Sequence, residues 1–208
     1  MTMKRIAITI ILLIGLCLSA SAESGRRSSS PFAYNGFMGG MMLHAGYVSQ
    51  GNVTIGNQSQ RLRGIPLGIG GALKIRLGDH LRVGTEGYTS SVGYGDWGSA
   101  VSIGWGGLLV DLCVRFGEWT PYAGVTVGGG VVENLTLTST PALDFEPEEQ
   151  LSYRHYGVGV VTPFVGVEYT LTDRMALTLK TDYILPIGTT ESDFPGGVRC
   201  YLGFLFSH

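Results

Sequence analysis

Charged side chains are scarce in this sequence of 208 residues: Asp, Glu, Lys and Arg together make up 14%, whereas soluble domains carry roughly 25%. The formal net charge is −2, and Lys and Arg do not cluster in any segment, which excludes nucleic acid as a partner. Three cysteines are too few for the disulfide framework of a small exported domain. After residue 22 no apolar run reaches about 18 residues, which excludes a helical membrane span there.

The N-terminal segment has the three parts of a secretory signal peptide. Two basic residues are followed by a short apolar stretch over 6–18 and by the small residues Ala-Ser-Ala. We therefore predict a signal peptide over 1–22, cleaved after Ala22; a retained anchor is the alternative, although the apolar stretch is short for it. Residues 23–33 are polar and Ser-rich and are predicted to form a flexible tail, followed by one domain over 34–208.

Residues 65–77 alternate between large apolar side chains and small or charged ones. Because alternate side chains of a strand point to opposite faces, one face of this segment is apolar and the other carries Gly, Lys and Arg. The same pattern recurs along the chain and predicts eight strands, over 35–48, 62–77, 81–92, 100–116, 120–132, 155–171, 175–185 and 196–206.

The breaks between these strands alternate strictly between short and long. Three short breaks lie at 78–80, 117–119 and 172–174, and the longer ones lie at 49–60, 93–99, 133–153 and 186–195. Short turns join only antiparallel neighbours, and eight such strands in series can close into an up-and-down barrel. The predicted fold class is therefore all-β, with eight antiparallel strands.

Two orientations of the strand faces fit this periodicity. The apolar face fills the interior of a soluble barrel, whereas it meets lipid in a transmembrane barrel, whose lumen then takes the other face. A strand tilted near 45° climbs about 2.3 Å per residue, which puts Glu86 about 16 Å above the turn at Asp79, near mid-bilayer. On the lipid face a Lys or Arg at that depth would cost about 2–4 kcal/mol. The charges opposite the aliphatic rows are therefore predicted to form a lumen network of Lys74, Arg76, Arg82, Glu86, Asp111, Arg115, Glu168, Lys180, Asp182 and Arg199.

Aromatic residues gather near the short breaks, where an interfacial girdle of a membrane barrel belongs. This predicted girdle consists of Phe37, Phe116, Trp119, Tyr169 and Phe206. Charge, glycine content and aromatic placement together favour the transmembrane orientation. We therefore expect an exported barrel in the outer membrane of a Gram-negative bacterium, with outer-membrane lipid as its surroundings.

Three segments resemble the eight-stranded outer-membrane β-barrel proteins, the OmpA/OmpX-like group. They are "TPYAGVTVGGGV" (120–131), "TPFVGVEYTLTDRMALTLKTDY" (162–183) and "GGVRCYLGFLF" (196–206). The resemblance implies that both chain ends and the short turns face the periplasm and that the four longer loops lie at the cell surface. It also implies a terminal aromatic residue, whereas this chain continues past Phe206 for two residues. The group shares a fold and not one activity.

No catalytic, metal or cofactor site is predicted. His155 has Ser152 and Glu149 nearby in sequence, while His44 falls on the inward face and His80 in a short turn. A Ser-His-acid site requires these groups to meet in space, and nearness within a loop does not provide that. No group of His, Cys, Asp and Glu has the spacing of metal ligands.

The sequence favours a non-enzymatic protein with a structural or surface-interaction role, in which a barrel plugged by side chains presents four loops. A surface ligand is a possible partner of these loops, of which 133–153 is acidic. The alternatives are a small-solute channel, which needs a water path past the lumen charges, and a lipid-modifying enzyme at the rim near His155. Narrow eight-stranded barrels are filled by their own side chains, which favours the plug.

Overall fold

A computed structural model describes residues 34–55, 58–94, 99–140, 148–188 and 193–208. The predicted signal peptide (1–22) and tail (23–33) lie outside the described residues. Within the described residues no helix is both long and apolar enough to cross a bilayer.

Strands make up nearly all of the described chain. They are β1 (Tyr34–Gln50), β2 (Asn52–Ile55), β3 (Gln58–Arg61), β4 (Leu67–Leu77), β5 (Leu81–Tyr94), β6 (Ser99–Cys113), β7 (Trp119–Thr140), β8 (Glu148–Thr172), β9 (Met175–Ile187) and β10 (Gly196–Ser207). Eight of these strands close into a barrel in the order β1-β10-β9-β8-β7-β6-β5-β4. Each pairing around the barrel is antiparallel. The predicted fold class is confirmed.

The two faces of the barrel wall have opposite chemistry. The aliphatic rows lie outside, where Leu108 is 70% exposed and Leu43 is 63% exposed. The charged face lies inside, where Arg82 is fully buried and Glu86 is 5% exposed. A barrel that exposes an apolar band and buries its charges matches a lipid surrounding and not water.

The short-turn end of the barrel holds the tight turns and both ends of the described chain. Gly78 and Gly117 lie in these turns with φ of 64° and 60°, a left-handed conformation that glycine adopts without a steric penalty. All five residues of the predicted girdle lie at this end. The Trp119 and Tyr169 rings pack with centroids 4.7 Å apart, and the side chains of Phe37, Phe116, Trp119 and Phe206 are exposed.

The barrel closes along a seam between the first and last strands. β1 pairs with β10 from Met38 to Val48, and the main chains of Phe37 and His208 exchange two hydrogen bonds, of 3.1 and 3.0 Å. The His208 ring stacks on the Phe37 ring with centroids 5.3 Å apart. The residues that follow Phe206 therefore extend the seam instead of trailing from it.

The prediction of a loop over 133–153 is wrong in part. β7 continues to Thr140 and β8 begins at Glu148, so these strands rise beyond their neighbours. β6 pairs with β7 only as far as Leu135, and β9 pairs with β8 only from Gly159. We call the paired part beyond these points, 136–140 with 148–158, the ribbon. Alternating Leu and Thr over 135–138 carries the strand pattern past the polar residues that suggested a loop.

The region between β1 and β4 also differs from its prediction. β2 and β3 form a hairpin inside the predicted loop 49–60, and β4 begins at Leu67 and not at 62. Pro66 has no N–H to donate to a strand ladder, which explains the later start. Leu62 is instead fully buried at the end of the barrel opposite the short turns, which we call the long-loop end.

The lipid-facing band can be tested with Leu108→Lys. Leu108 pairs with Thr85 and Val127 in the middle of the wall, so we expect a loss of about 2–4 kcal/mol in free energy of unfolding from lipid bilayers, measured by urea titration. The matched control is Leu171→Lys, which changes an exposed leucine beside a short turn and should cost about 0–1 kcal/mol. Equal losses in the two variants would contradict the assignment of the outer band.

Candidate functional site: the barrel lumen and its outer cap

Four charged side chains near the short-turn end form the lower ion-pair layer: Lys74, Arg82, Asp111 and Glu168. Arg82 donates through Nε to Asp111 Oδ1 at 2.6 Å and through Nη1 to the Glu168 carboxylate at 2.8 and 2.9 Å. Lys74 Nζ donates to Asp111 Oδ2 at 2.9 Å and lies 3.6 Å from Glu168 Oε1. The layer therefore matches two cations with two carboxylates and links four strands, β4, β5, β6 and β8.

Tyr122 packs against both cations of the lower layer. Its ring centroid lies 4.3 Å from Lys74 Nζ and 4.8 Å from the Arg82 guanidinium carbon, within the range of cation–π attraction. Its hydroxyl hydrogen-bonds to Thr178 Oγ1 at 2.9 Å. The ring thus fills the space beside the ion pairs.

The upper ion-pair layer, Glu86, Lys180 and Asp182, lies nearer the long-loop end. Lys180 Nζ donates to Glu86 Oε2 at 2.6 Å and lies 3.9 Å from Asp182 Oδ2. Glu86 also accepts hydrogen bonds from Thr126 Oγ1 at 2.6 Å and from the Tyr88 hydroxyl at 3.2 Å. One ammonium group therefore faces two carboxylates, so this layer carries a net charge of −1 when all three groups are ionised.

Aromatic rings surround Lys180. The centroids of the Tyr88, Phe164 and Tyr201 rings lie 4.9, 4.6 and 4.8 Å from its Nζ. These rings occupy lumen space around the ammonium group and attract it through their π faces.

A third buried group, which we call the upper compartment, consists of His44, Trp105 and Arg199 together with the hydroxyls of Ser90 and Thr162. The Arg199 guanidinium carbon lies 4.9 Å from the Trp105 ring centroid, and the His44 and Trp105 centroids are 5.7 Å apart. Neither ring nitrogen of His44, nor Trp105 Nε1, nor Arg199 Nε and Nη1 has a hydrogen-bond partner among the described residues. The hydroxyls of Ser90 and Thr162 have none there either.

The long-loop end is closed by an outer cap made of Asp193, Phe194 and Pro195 with Val53 and Leu62. Phe194 is 4% exposed and packs in one apolar cluster with Val53 and Leu62. The buried Asp193 carboxylate accepts hydrogen bonds from Asn134 Nδ2 at 3.1 Å and from the Tyr156 hydroxyl at 3.0 Å, and Arg154 Nη1 lies 3.3 Å from it. From below, Arg199 Nη2 donates to the Pro195 carbonyl at 3.1 Å.

Two residues of the predicted lumen network lie at the short-turn end, apart from both ion-pair layers. Arg76 and Arg115 line a cavity of about 650 Å³ at the short-turn end, and Glu168 reaches its inner wall. Arg115 is exposed, since β6 ends at Cys113 and the strand alternation no longer aims it inward. Its Nε donates to the Gly117 carbonyl at 3.3 Å. The structure thus brings seven of the ten predicted charges into two layers and puts Arg199 above them.

The candidate triad at the rim does not assemble. Ser152 and His155 are three residues apart on β8 and therefore point to opposite faces of the ribbon. Glu149 lies about 20 Å from His155 along the same strand. His155 is exposed, and its ring centroid lies 6.5 Å from that of Tyr153.

The other candidate ligands are also separated. His80 Nδ1 lies 3.1 Å from the Cys113 carbonyl oxygen in the short-turn region, while His44 belongs to the upper compartment. Cys113 is buried, Cys200 is exposed, and both are free thiols. Within the described ranges no group of three or more His, Cys, Asp or Glu side chains could hold a metal ion.

Strand alternation places Tyr88, Tyr122 and Tyr201 on the inward face with the lumen charges, but sequence reasoning gave these rings no role. It missed Trp105, which the same alternation could have located, and it missed the cap. The cap gives no comparable signal, because Asp193 and Phe194 lie in a Pro/Gly-containing loop whose inward fold depends on contacts with β7 and β8.

Comparison with known proteins provides support at the level of the fold. No family model matches the sequence, and no curated protein matches it. Among solved structures, the neisserial surface protein NspA superimposes with a TM-score of 0.54 at 14% identity, over 84% of this chain and 97% of that one. OprG, an outer-membrane protein of Pseudomonas aeruginosa, superimposes with a TM-score of 0.56 at 12% identity, over 86% of this chain and 99% of that one.

These similarities agree with the lipid-facing band and with the closed eight-stranded topology. Each one covers nearly the whole of the matched chain, so the resemblance extends to the complete barrel and not to a single hairpin. A closed barrel with this exterior resides in the outer membrane of a Gram-negative bacterium. The chain has the fold of the eight-stranded outer-membrane β-barrels, the OmpA/OmpX-like group.

Proposed function

We propose that this protein is a non-enzymatic outer-membrane barrel whose lumen is a structural plug and whose long loops meet partners at the cell surface. The observation that carries the proposal is the obstruction of the lumen at three levels. Two ion-pair layers and their aromatic rings cross it, and the outer cap covers its long-loop end. No continuous water path is needed for a barrel that only holds its loops in place.

The lower layer supports a structural role because it cross-links distant parts of the wall. Arg82 on β5 reaches Glu168 on β8, two residues separated by 86 positions in sequence. Isolated charges in a narrow interior are costly, whereas charges matched by partners and further hydrogen bonds are tolerated. Each ion pair therefore favours the closed barrel over any form in which one strand has moved away.

The ribbon supports a surface role because it extends the wall beyond the lipid-facing band. Tyr153 is 60% exposed on its outer face, next to the exposed His155. The long-loop end is the cell-surface end if the orientation implied by the resemblance holds. Aromatic side chains in this position suit contact with a surface ligand.

A small-solute channel is the second candidate, and the cavity at the short-turn end favours it. That cavity opens the lumen from one side as far as Glu168. Conduction would require both ion-pair layers and the cap to part, which makes the channel the less favoured function.

Conductance in planar bilayers tests the choice between plug and channel. We expect the refolded wild-type protein to give no stable conductance steps, because the ion-pair layers and the cap leave no water path. Lys74→Gly combined with Arg82→Gly, which removes the large side chains of the lower layer alone, should likewise give no stable steps, because the upper layer and the cap still cross the lumen. Regular unit steps from the wild-type protein would overturn the plug.

Stability measurements test the structural role of the upper layer. In Glu86→Gln, Lys180 loses its 2.6 Å carboxylate partner and keeps only Asp182 at 3.9 Å, and we expect a loss of about 1–3 kcal/mol in free energy of unfolding. The matched control is Glu118→Gln in an exposed turn, which should change that free energy by less than about 0.5 kcal/mol. Similar stabilities of the two variants would show that the upper layer does not hold the barrel together.

Shortening the ribbon tests whether the barrel and its loops are separable. We expect replacement of residues 137–151 by a Gly-Gly turn to leave a barrel that still resists SDS unless boiled, because the ion-pair layers and the seam remain. Surface labelling of intact cells should report normal insertion. Loss of the folded, heat-modifiable band would mean that the ribbon is needed for folding and is not only a presented element.

A further inference from the structure

The cavity at the short-turn end, which we call the short-turn cavity, has no role in the proposed plug. Its volume of about 650 Å³ lies within the range of ligand pockets, about 300–1,000 Å³. At its inner wall the Glu168 carboxylate already accepts hydrogen bonds from Arg82. A solute can therefore enter from the short-turn end without disturbing either ion-pair layer.

One side of the short-turn cavity carries an excess of positive charge. Arg76 and Arg115 line it together with Asp79, so the formal charge of this side is +1. Arg76 is half-buried, and its cross-strand neighbour is Arg82, a second cation. No ion pair or side-chain hydrogen bond joins Arg76 to another described residue, and Arg115 donates only through Nε, to the Gly117 carbonyl. Both guanidinium groups therefore have donors available for a carboxylate.

The opposite side of the short-turn cavity carries a negative charge. Asp173 lies there, in the turn between β8 and β9, and these strands stand four places away from β4 and β5 in the order of the barrel. Asp173 is exposed, and among the described residues it has no ion-pair partner. The cavity is therefore positive on one side and negative on the other, which suits a ligand with a charge of each sign.

The distance between the two sides sets the length of that ligand. Eight strands about 4.8 Å apart and tilted near 45° form a wall about 17 Å across, measured between backbones. Side chains on both sides narrow this gap, and an extended tripeptide, which spans about 10 Å, fits what remains. A single amino acid holds its ammonium and carboxylate groups too close together to reach both sides.

We propose that the short-turn cavity binds a short peptide with free ends. Arg76 and Arg115 donate to the peptide carboxylate, because guanidinium and carboxylate groups form planar, charge-assisted hydrogen bonds. The peptide ammonium group faces Asp173. Between the two charged sides, the polar side chains of Asn35 and Thr120 line the cavity and can bond to the peptide groups. This inference goes beyond the plug, because the peptide occupies the open end of a lumen that stays closed above it.

The test is isothermal titration calorimetry of refolded full-length mature protein in detergent with trialanine, a tripeptide with free ends. We expect saturable binding. N-acetyl-trialanine lacks the ammonium group and trialanine amide lacks the carboxylate, so each should bind at least fivefold more weakly. The single amino acid alanine should bind more weakly still. Equal affinity for trialanine and either blocked peptide would contradict the proposed contacts.

Two variants assign the charged contacts. Arg76→Gln should weaken trialanine binding about tenfold and leave the binding of trialanine amide unchanged, because that peptide has no carboxylate to lose. Asp173→Asn should weaken trialanine binding severalfold and leave N-acetyl-trialanine unchanged. A general loss of structure would weaken all three peptides alike. The matched control is Arg63→Gln, which changes an exposed arginine near the long-loop end and should bind trialanine like the wild type.

The results that would overturn the proposal are equally specific. If Arg76 pairs with Asp79 in solution, the wild type shows no saturable binding of trialanine. Binding that is unchanged in Arg76→Gln, or that falls equally in Arg63→Gln, is also incompatible with a peptide site in this cavity. Because calorimetry does not depend on conductance, either failure leaves the proposed plug untouched, and conductance steps from the wild type would leave the peptide site untouched.

Discussion

Lipid on the outside of the wall is the constraint on which the rest of the structure depends. Once the aliphatic rows must face hydrocarbon, strand alternation sends every second residue into a lumen only wide enough for side chains. Charged side chains in the lumen do not contact bulk water and must therefore form ion pairs with one another. Arg82, fully buried and bonded to carboxylates on two different strands, is the clearest result of that confinement.

Much of this architecture is readable from the sequence because strand alternation is a local property. The face of Lys74, Asp111 or Lys180 follows from counting residues within one strand, and it needs no knowledge of the neighbouring strand. The same counting fails for Arg115, where the strand has already ended. It also fails at Leu62, which the pattern placed on a strand and which is part of the cap instead.

What the sequence does not contain is the relative height of the strands. Whether Lys180 meets Glu86 or another carboxylate depends on the stagger of all eight strands around the barrel, and no single segment encodes that stagger. The cap also depends on contacts between segments that are distant in sequence, since Asp193 contacts side chains of β7 and β8. Strand pairing and barrel closure therefore depend on all eight strands together, whereas the face on which a side chain lies depends on its own strand alone.

The seam between Phe37 and His208 has a consequence for how the protein forms. β1 can complete its hydrogen bonding only after β10 has been made, so the barrel closes after all its other strands have been synthesised. Pairing of strands this far apart in sequence is entropically costly and slow. Until the seam closes, both strands present unpaired edges that can join other chains, so the unfinished barrel depends on protection from aggregation during export.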